Sequence, residues 1–421
     1  MNKLAIITTH PIQYYAPVFK LLAEKIQLKV FYTWGNQSVA KYDQGFVKQI
    51  EWDIPLLNGY DYLFLENTAK DPGTHRFSAI FNPTLIKEIN DFKPDAILIY
   101  GWAWKSHLKV LHFFKGKTPV YFRGDSTLLD QHQNFRRLLR KYFLKWVYKH
   151  IDKAFYVGTA NKAYFKRFGL KDDQLIFAPH AVDNDRFANG NILEAEVLRT
   201  QLGIKIDEIL ILFAGKLEPK KNPELLLDAF IDLDLKNSHL LFVGNGMLEE
   251  RLKIKVKGLR FSGEGLTEKV PFGYVQDDSK FSSELRAERL KESVKSRIHF
   301  IDFQNQSQMP VVYQACDLFC LPSQGPGETW GLAVNEAMAA GKAILVSDKV
   351  GCATDLVSPG INGEIFKSGD LTDLKQKLKV FTENKNKLAQ MGLASQKIIK
   401  DWSFEKQVNQ IIEAIQNKHA K

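Results

Sequence analysis

Residues 318–347 read LFCLPSQGPGETWGLAVNEAMAAGKAILVS, and the fold is decided by how this stretch is parsed. An apolar run, Leu318 to Leu321, breaks at a Pro- and Gly-rich loop over Pro322 to Gly327. A helix of small residues is expected to follow as far as Ala340, stopped by Gly341 just past its C-cap. A second apolar run, Ala343 to Val346, completes a strand–loop–helix–strand unit of the kind that builds parallel sheets. The loop carries Glu328 at the expected helix N-terminus, and the helix carries Glu336 about a turn and a half inside. Ligands bind at this end of parallel strands, where a helix N-terminus favours phosphate. The plainer alternative is a capped surface helix with two solvated acids. The Gly/Pro loop and the Ala/Gly helix weigh against it, because both let backbone approach a ligand closely.

Working outward, the N-terminal half alternates strand and helix patterns. Strands are expected at Leu4–Thr8, Leu28–Tyr32, Ala96–Tyr100 and Val120–Arg123, with helices at Ala16–Lys25, Pro83–Asp91 and Lys105–Phe114. That pattern is a doubly wound α/β domain. The sequence reading places no element between Tyr32 and Pro83. Three strand ends carry chemistry. His10-Pro11-Ile12-Gln13-Tyr14-Tyr15 has the polarity of a binding loop and no glycine. Tyr100-Gly101-Trp102-Ala103-Trp104 offers rings suited to stacking on a sugar. Arg123-Gly124-Asp125-Ser126 sets a cation and a carboxylate at one strand end. Each has a plainer alternative: His10 and Gln13 bonding to their own loop, or Asp125 or Ser126 capping the next helix.

Arg136 to His150 reads as a basic, aromatic, amphipathic helix. Leu138, Leu139, Tyr142, Phe143, Trp146 and Val147 share one face, with Arg136, Arg137, Arg140, Lys141, Lys145 and Lys149 mostly on the other. Two readings stay open: the apolar face packs on the following strand, Ala154–Val157, or the helix lies on an anionic bilayer.

In the C-terminal half, the strand Ile209–Ala214 runs into Gly215-Lys216-Leu217-Glu218-Pro219-Lys220-Lys221 and then a helix, Glu224–Phe230. The strand Leu240–Val243 runs into Gly244-Asn245-Gly246 and a helix, Met247–Lys253. The strand His299–Ile301 is followed by Phe303 and Gln304. Residues 255–297, with a helical stretch at 282–295, exceed what the fold needs there and read as an insertion.

A chain of 421 residues favours two or three domains, and 45% hydrophobic with 25% charged residues is an ordinary globular composition. The net charge of +10 calls for anionic company: nucleotide, acidic lipid or polyanionic glycan. No nucleic-acid-binding motif accompanies it, so nucleic acid is not expected as a partner. Cys316, Cys320 and Cys352 show no metal spacing, which fits a reducing compartment. The first residues run straight into a strand without a signal-peptide pattern, and no apolar stretch is long enough to span a bilayer.

The run from Glu328 through Gly331-Leu332, Glu336-Ala337-Met338-Ala339 and Gly341 resembles the Glu-x7-Glu motif of retaining glycosyltransferases of family 4, which have the GT-B fold. Gly215 to Lys221 is similar to that family's Gly-Arg-Leu…Lys segment, with Lys216 where arginine is usual and Lys221 on the motif lysine. Phe177 to Phe187 is similar to the segment leading into the family's interdomain link. The chain departs from the pattern at His10 to Tyr14, where many relatives carry Gly-Gly; there it resembles a bacterial subset that opens with His-Pro-Ile-Gln-Tyr. Relatives often place a histidine where Arg123 and Asp125 stand.

The resemblance implies an α/β, GT-B architecture of two Rossmann-like doubly wound parallel-sheet domains facing a cleft. Residues 1–187 would form the acceptor-side domain and 188–385 the donor domain, with helices in 386–421 crossing back. It implies transfer, with retained configuration, from a nucleotide-sugar donor (UDP as the family's commonest carrier) to a hydroxyl of a glycan or lipid-linked glycan, as in bacterial cell-surface polysaccharide glycosyltransferases. Glu336 would hold the ribose and Glu328 the sugar hydroxyls. Lys216 and Lys221 would neutralise the diphosphate, helped by the helix start at Thr329, Trp330, Gly331 and Leu332. Gly215 and Gly244 would lie beneath the nucleotide and Phe303 beside its base. Glu328, Lys221, Lys216 and Asp125 form the expected catalytic set, and His10, Gln13, Trp102 and Arg123 the acceptor side.

No residue stands out as a covalent nucleophile, which points to a front-face reaction. No cofactor or metal is expected. Asp183-x-Asp185 and Asp232-x-Asp234 superficially match a metal-binding Asp-x-Asp, but neither follows a strand in the needed context. Other readings on the same scaffold are a non-catalytic sugar-nucleotide or glycan-binding protein and a sugar-nucleotide epimerase. The expected location is cytoplasmic, with the 136–150 helix as the element that would attach to the inner face of the membrane.

Overall fold

The computed structural model describes residues 2–39, 41–43, 45–129, 135–258 and 293–417. The N-terminal half contains β1 (Lys3–Thr8), β2 (Gln27–Tyr32), β3 (Lys41–Asp43), β4 (Lys48–Ile50), β5 (Asp61–Phe64), β6 (Ala96–Tyr100), β7 (Val120–Arg123), β8 (Lys153–Tyr156) and β9 (Leu175–Phe177). Seven of them make one parallel sheet in the order β5-β2-β1-β6-β7-β8-β9. Their near-continuous apolar sequences follow from burial on both faces. Along β1, Leu4 and Ile6 enter one core cluster while Ala5 and Ile7 enter another, as the two-residue period of a strand requires. The helices α2 (Leu85–Phe92), α3 (Lys105–Phe114), α4 (Phe135–Tyr148) and α5 (Thr159–Arg167) supply the second cluster, and α1 (Ala16–Ala23) the first.

The C-terminal half contains β10 (Ile209–Ala214), β11 (Ser238–Val243), β12 (Ile298–Ile301), β13 (Leu318–Leu321), β14 (Ala343–Ser347) and β15 (Gly363–Phe366). They form a parallel sheet in the order β12-β11-β10-β13-β14-β15. Its helices are α6 (Asn184–Ala188), α7 (Ile192–Gln201), α8 (Pro223–Leu233), α9 (Glu249–Gly258), α10 (Met309–Ala315), α11 (Leu332–Ala339), α12 (Ala353–Leu356), α13 (Leu371–Thr382) and α14 (Lys385–Ile399). The last helix, α15 (Phe404–Gln416), leaves this domain: Phe404, Val408, Ile411 and Ile415 join the N-terminal cluster beside α1. Two Rossmann-like parallel sheets with flanking helices are the GT-B architecture.

In each sheet the strand order reverses beside the first strand of its domain, between β1 and β6 and between β10 and β13. Those are the crevices where open parallel sheets bind ligands. The loops leaving β1, β10 and β13 are the ones the sequence reading singled out.

Several local expectations are corrected. The helix after β13 begins at Leu332, not directly after Gly327, because Gly331 adopts φ +98° and cannot be helical. Residues 328–330 instead run as a loop tied to the next crossover by Gly351 N–H to Glu328 O (3.1 Å) and Cys352 N–H to Trp330 O (2.9 Å). The β3–β4 hairpin and β5 occupy the stretch to which no element was assigned. Helix α4 turns inward Leu144, Val147 and Tyr148, not the apolar face read from spacing, of which only Val147 is buried. The inserted segment at 255–297, including the helix expected at 282–295, falls mostly outside the described residues.

Candidate active site

The two crevices face each other across a cavity of about 300 Å³. Part of its wall is built from two glycine turns and a short lysine-rich turn. Gly244 lies so close to the β10 loop that an added Cβ would stand 2.1 Å from the Gly215 carbonyl oxygen. Lys216, Lys220 and Lys221 line the cavity, as do Leu332 and Ala333, the first residues of α11. The leading N–H groups of a helix lack intrahelical partners and favour an anion.

Lys221 and Glu328 form an ion pair at 2.6 Å, their side chains only 14% and 8% exposed. The Ser323 hydroxyl donates to the same carboxylate at 3.0 Å. Removing one member of so buried a pair strands the other charge, at a cost of roughly 3–5 kcal/mol. Lys221 lines the cavity, and Glu328 holds it from outside that lining.

Glu336 does line the cavity and is buried. Both its oxygens accept tyrosine hydroxyls, from Tyr14 of the N-terminal domain (2.9 Å) and from Tyr313 (2.9 Å). Burial pushes its carboxyl above the ordinary range, against the two hydroxyls, which favour the ionised form.

Aromatic rings line the cavity as well, beside Lys216, whose Nζ lies 5.0 Å from the Phe46 ring centroid. Phe303 meets Phe46 edge-on (centroids 4.8 Å apart) and Trp52 (6.0 Å). Phe46 and Trp52 come from the N-terminal domain, beside the β3–β4 hairpin, as does Asp43, whose carboxylate holds Lys216 Nζ at 2.7 Å. Burial opposes ionisation of Asp43, but Lys216 and the Gly45 and Phe46 N–H groups outweigh it and hold the carboxyl below its ordinary range.

Of the residues singled out in the sequence, the cavity collects Gln13, Gly215, Lys216, Lys221, Gly244, Phe303, Leu332 and Glu336. Asp125 and Thr329 meet each other instead, the threonine hydroxyl donating at 2.8 Å across the domain boundary, with His180 Nε2 3.9 Å from the same carboxylate oxygen. Burial opposes ionisation of Asp125, yet His180 and Thr329 hold its carboxyl low. The other residues singled out lie outside the cavity lining and have partners of their own. Arg123 is 2% exposed and spends its guanidinium on the carbonyls of Ala178 (2.8 Å) and Pro179 (3.0 Å). Trp102 packs on Phe143 of α4. Trp330 is buried against Trp402 and His180, its indole N–H donating to Asn335, while Gly331 makes the turn into α11. His10 bonds to the Thr9 hydroxyl and packs edge-on against Trp34.

Sequence reasoning missed Tyr14, Tyr313, Asp43, Phe46 and Trp52. Tyr14 had a signal, since it lies next to Gln13 in the first loop. Phe46 and Trp52 had only their aromatic character, and Asp43 had no signal.

Residues 194–398 match the sequence model of the family described as Glycosyl transferases group 1. The D-inositol 3-phosphate glycosyltransferase of Stackebrandtia nassauensis is 29% identical over 201 residues, 48% of this chain and 39% of that protein. Its counterpart from Nocardia farcinica is 26% identical over 226 residues, 54% and 44% of the two chains. The chain thus spans less than half the length of these two curated relatives. Among solved structures, Anabaena HepE in complex with UDP and glucose superposes with a TM-score of 0.68 at 16% identity, covering 99% of this chain and all of that one. WaaG, a glycosyltransferase involved in lipopolysaccharide biosynthesis, does so with a TM-score of 0.63 at 13% identity, covering 98% and 99%. The chain therefore has the GT-B fold, and its second domain carries the group 1 glycosyl transferase match.

Proposed function

We propose that this protein is a glycosyltransferase that moves a sugar from a nucleotide-sugar donor, a UDP-sugar first among candidates, to an acceptor hydroxyl. The observation that carries the reading is the cavity itself. Its lining combines three lysines, two close-packed glycine turns and a helix start with a carboxylate and an aromatic cluster. Those are complements of a diphosphate, a ribose and a base. The HepE structure with UDP and glucose supports this assignment by fold.

In the proposed reaction the bond from the sugar's anomeric carbon to the diphosphate oxygen breaks, and the acceptor oxygen bonds to that carbon. The acceptor's proton passes to the departing diphosphate. Negative charge grows on the diphosphate as it leaves, so Lys216 and Lys221 stabilise the transition state more than the ground state. Lysine supplies a point charge in place of an arginine fork. Glu328 holds Lys221 in position, and Glu336 accepts ribose hydroxyls in exchange for, or beside, its tyrosine donors. Attack from the departing group's own face retains configuration. The acceptor, a glycan or lipid-linked glycan in surface polysaccharide synthesis, would enter beside Gln13 and Asp125.

The test is incubation with UDP- and GDP-sugars, with products followed by NMR. Release of nucleoside diphosphate, a retained anomeric centre and indifference to EDTA are expected. Inversion at C2 of the intact donor would instead mark an epimerase, and saturable binding without turnover a binding protein.

A further inference from the structure

Helix α4 exposes a large apolar face. Leu138 is 48% exposed, Leu139 62%, Tyr142 62%, Phe143 40% and Trp146 44%. At 3.6 residues per turn these five form one continuous sector. Lys141, Lys145 and Lys149 recur every fourth residue along one edge, and Arg140 lies on the other. No Asp or Glu occurs from Gln131 to Ile151. A contiguous apolar patch rimmed by polar groups marks an interaction surface.

We propose that this face docks on the surface of an anionic lipid bilayer. Trp and Tyr seat at the level of lipid head groups, aliphatic side chains enter the acyl boundary, and flanking lysines meet acidic phosphates. A second copy of the chain is a poorer occupant. A two-fold contact would set these acid-free, cationic edges against themselves. No described helix is long and apolar enough to cross a membrane, so the attachment is at the surface.

The helix is rigidly placed. Leu144, Val147 and Tyr148 anchor it in the core, and its apolar sector continues through Phe143 onto Trp102, at the cleft end of β6. A bilayer under α4 therefore lies beside the loops that carry Trp102 and Asp125. A lipid-linked acceptor could present its head group there without leaving the membrane. That last step rests on the transferase reading, whereas the docking does not.

The test is flotation of the full chain with phosphatidylcholine vesicles, with and without about 30 mol% phosphatidylglycerol, at low and high salt. Binding is expected only to the anionic vesicles, weakened about tenfold or more by high salt. The double variant Leu139→Glu, Trp146→Glu should lose flotation while keeping its thermal midpoint and nucleotide-sugar turnover. Lys145→Glu with Lys149→Glu should lose the preference for phosphatidylglycerol. Three results overturn the proposal: no flotation at low salt, flotation unchanged in the double variant, or a concentration-dependent dimer that this variant dissolves. Failure of turnover with intact flotation would count against the transferase reading and leave the docking standing.

Discussion

Gly244 has no room for a side chain. A Cβ there would meet the Gly215 carbonyl oxygen at 2.1 Å, and its φ of +133° is already one that other residues resist. Gly244→Ala should cost roughly 1–3 kcal/mol of local strain, spread the two turns apart and weaken nucleotide binding about tenfold. Calorimetric titration checks it, and an unchanged affinity would show that these turns do not shape the site. His107 makes a second residue-scale case. Burial holds its pKa down at about 4 from an ordinary 6.5, although it bonds to Gly101 O (2.9 Å) and Thr33 (2.8 Å). Between those values the unfolded chain binds a proton that the folded chain refuses. Stability is therefore full above about 6.5 and falls as pH drops toward 4, by on the order of 3 kcal/mol from this group. Denaturant unfolding at several pH values should show that slope, and His107→Gln should flatten it. The motif acids and lysines were legible in sequence because each sits in a local pattern. The Tyr14–Glu336 bond was not, since it joins residues 322 apart, and no local pattern encodes that distance.

The β3–β4 hairpin shows what was lost at the scale of elements. Its strands are three residues each, too short for a periodic signal, so the stretch from Thr33 to Asn82 gave no element. Yet Phe46 and Trp52 of this stretch line one side of the cavity. Asp43 holds Lys216, Phe46 and Trp52 meet Phe303, Glu51 O accepts from Asn305 (2.7 Å), and Asp53 accepts from Ser307 N–H (3.1 Å). An incoming diphosphate competes with Asp43 for Lys216. Pairs this exposed are worth up to about 1 kcal/mol. Asp43→Asn should thus tighten nucleoside diphosphate binding several-fold by titration. A weaker affinity would mean that Asp43 positions the lysine for the ligand. By contrast, β6, β7, β10, β13 and α3 fall where the sequence put them, because each is a bounded apolar run or a clear helical period.

At the scale of the molecule, two separately cored domains are held so that their crevices face. Asp355 accepts from the N–H of Thr159 at the start of α5 (2.9 Å), Asp125 from Thr329, and Glu336 from Tyr14. Helix α15 is seated in the first domain although it follows the second, so the two halves are tied by chain as well as by contact. Doubly wound folds place their ligand sites at strand-order reversals, and here two such sites meet in one cavity. The second domain's share of the cavity lining was legible because Gly215, Lys216, Lys221, Gly244, Phe303 and Glu336 each follow a clear strand pattern. On the other side, the partners of Arg123 and Trp102 were not legible, because Ala178 and Phe143 lie far along the chain and no local pattern encodes those contacts. In the proposed reaction Lys221, held by Glu328 at 2.6 Å, stabilises the departing diphosphate. Release of nucleoside diphosphate from a nucleotide sugar, compared between the parent and folded Lys221→Ala and Glu328→Gln variants, tests it most directly. A drop of about a hundredfold or more is expected in Lys221→Ala, with a smaller one in Glu328→Gln. Parent-level release from Lys221→Ala would contradict the account.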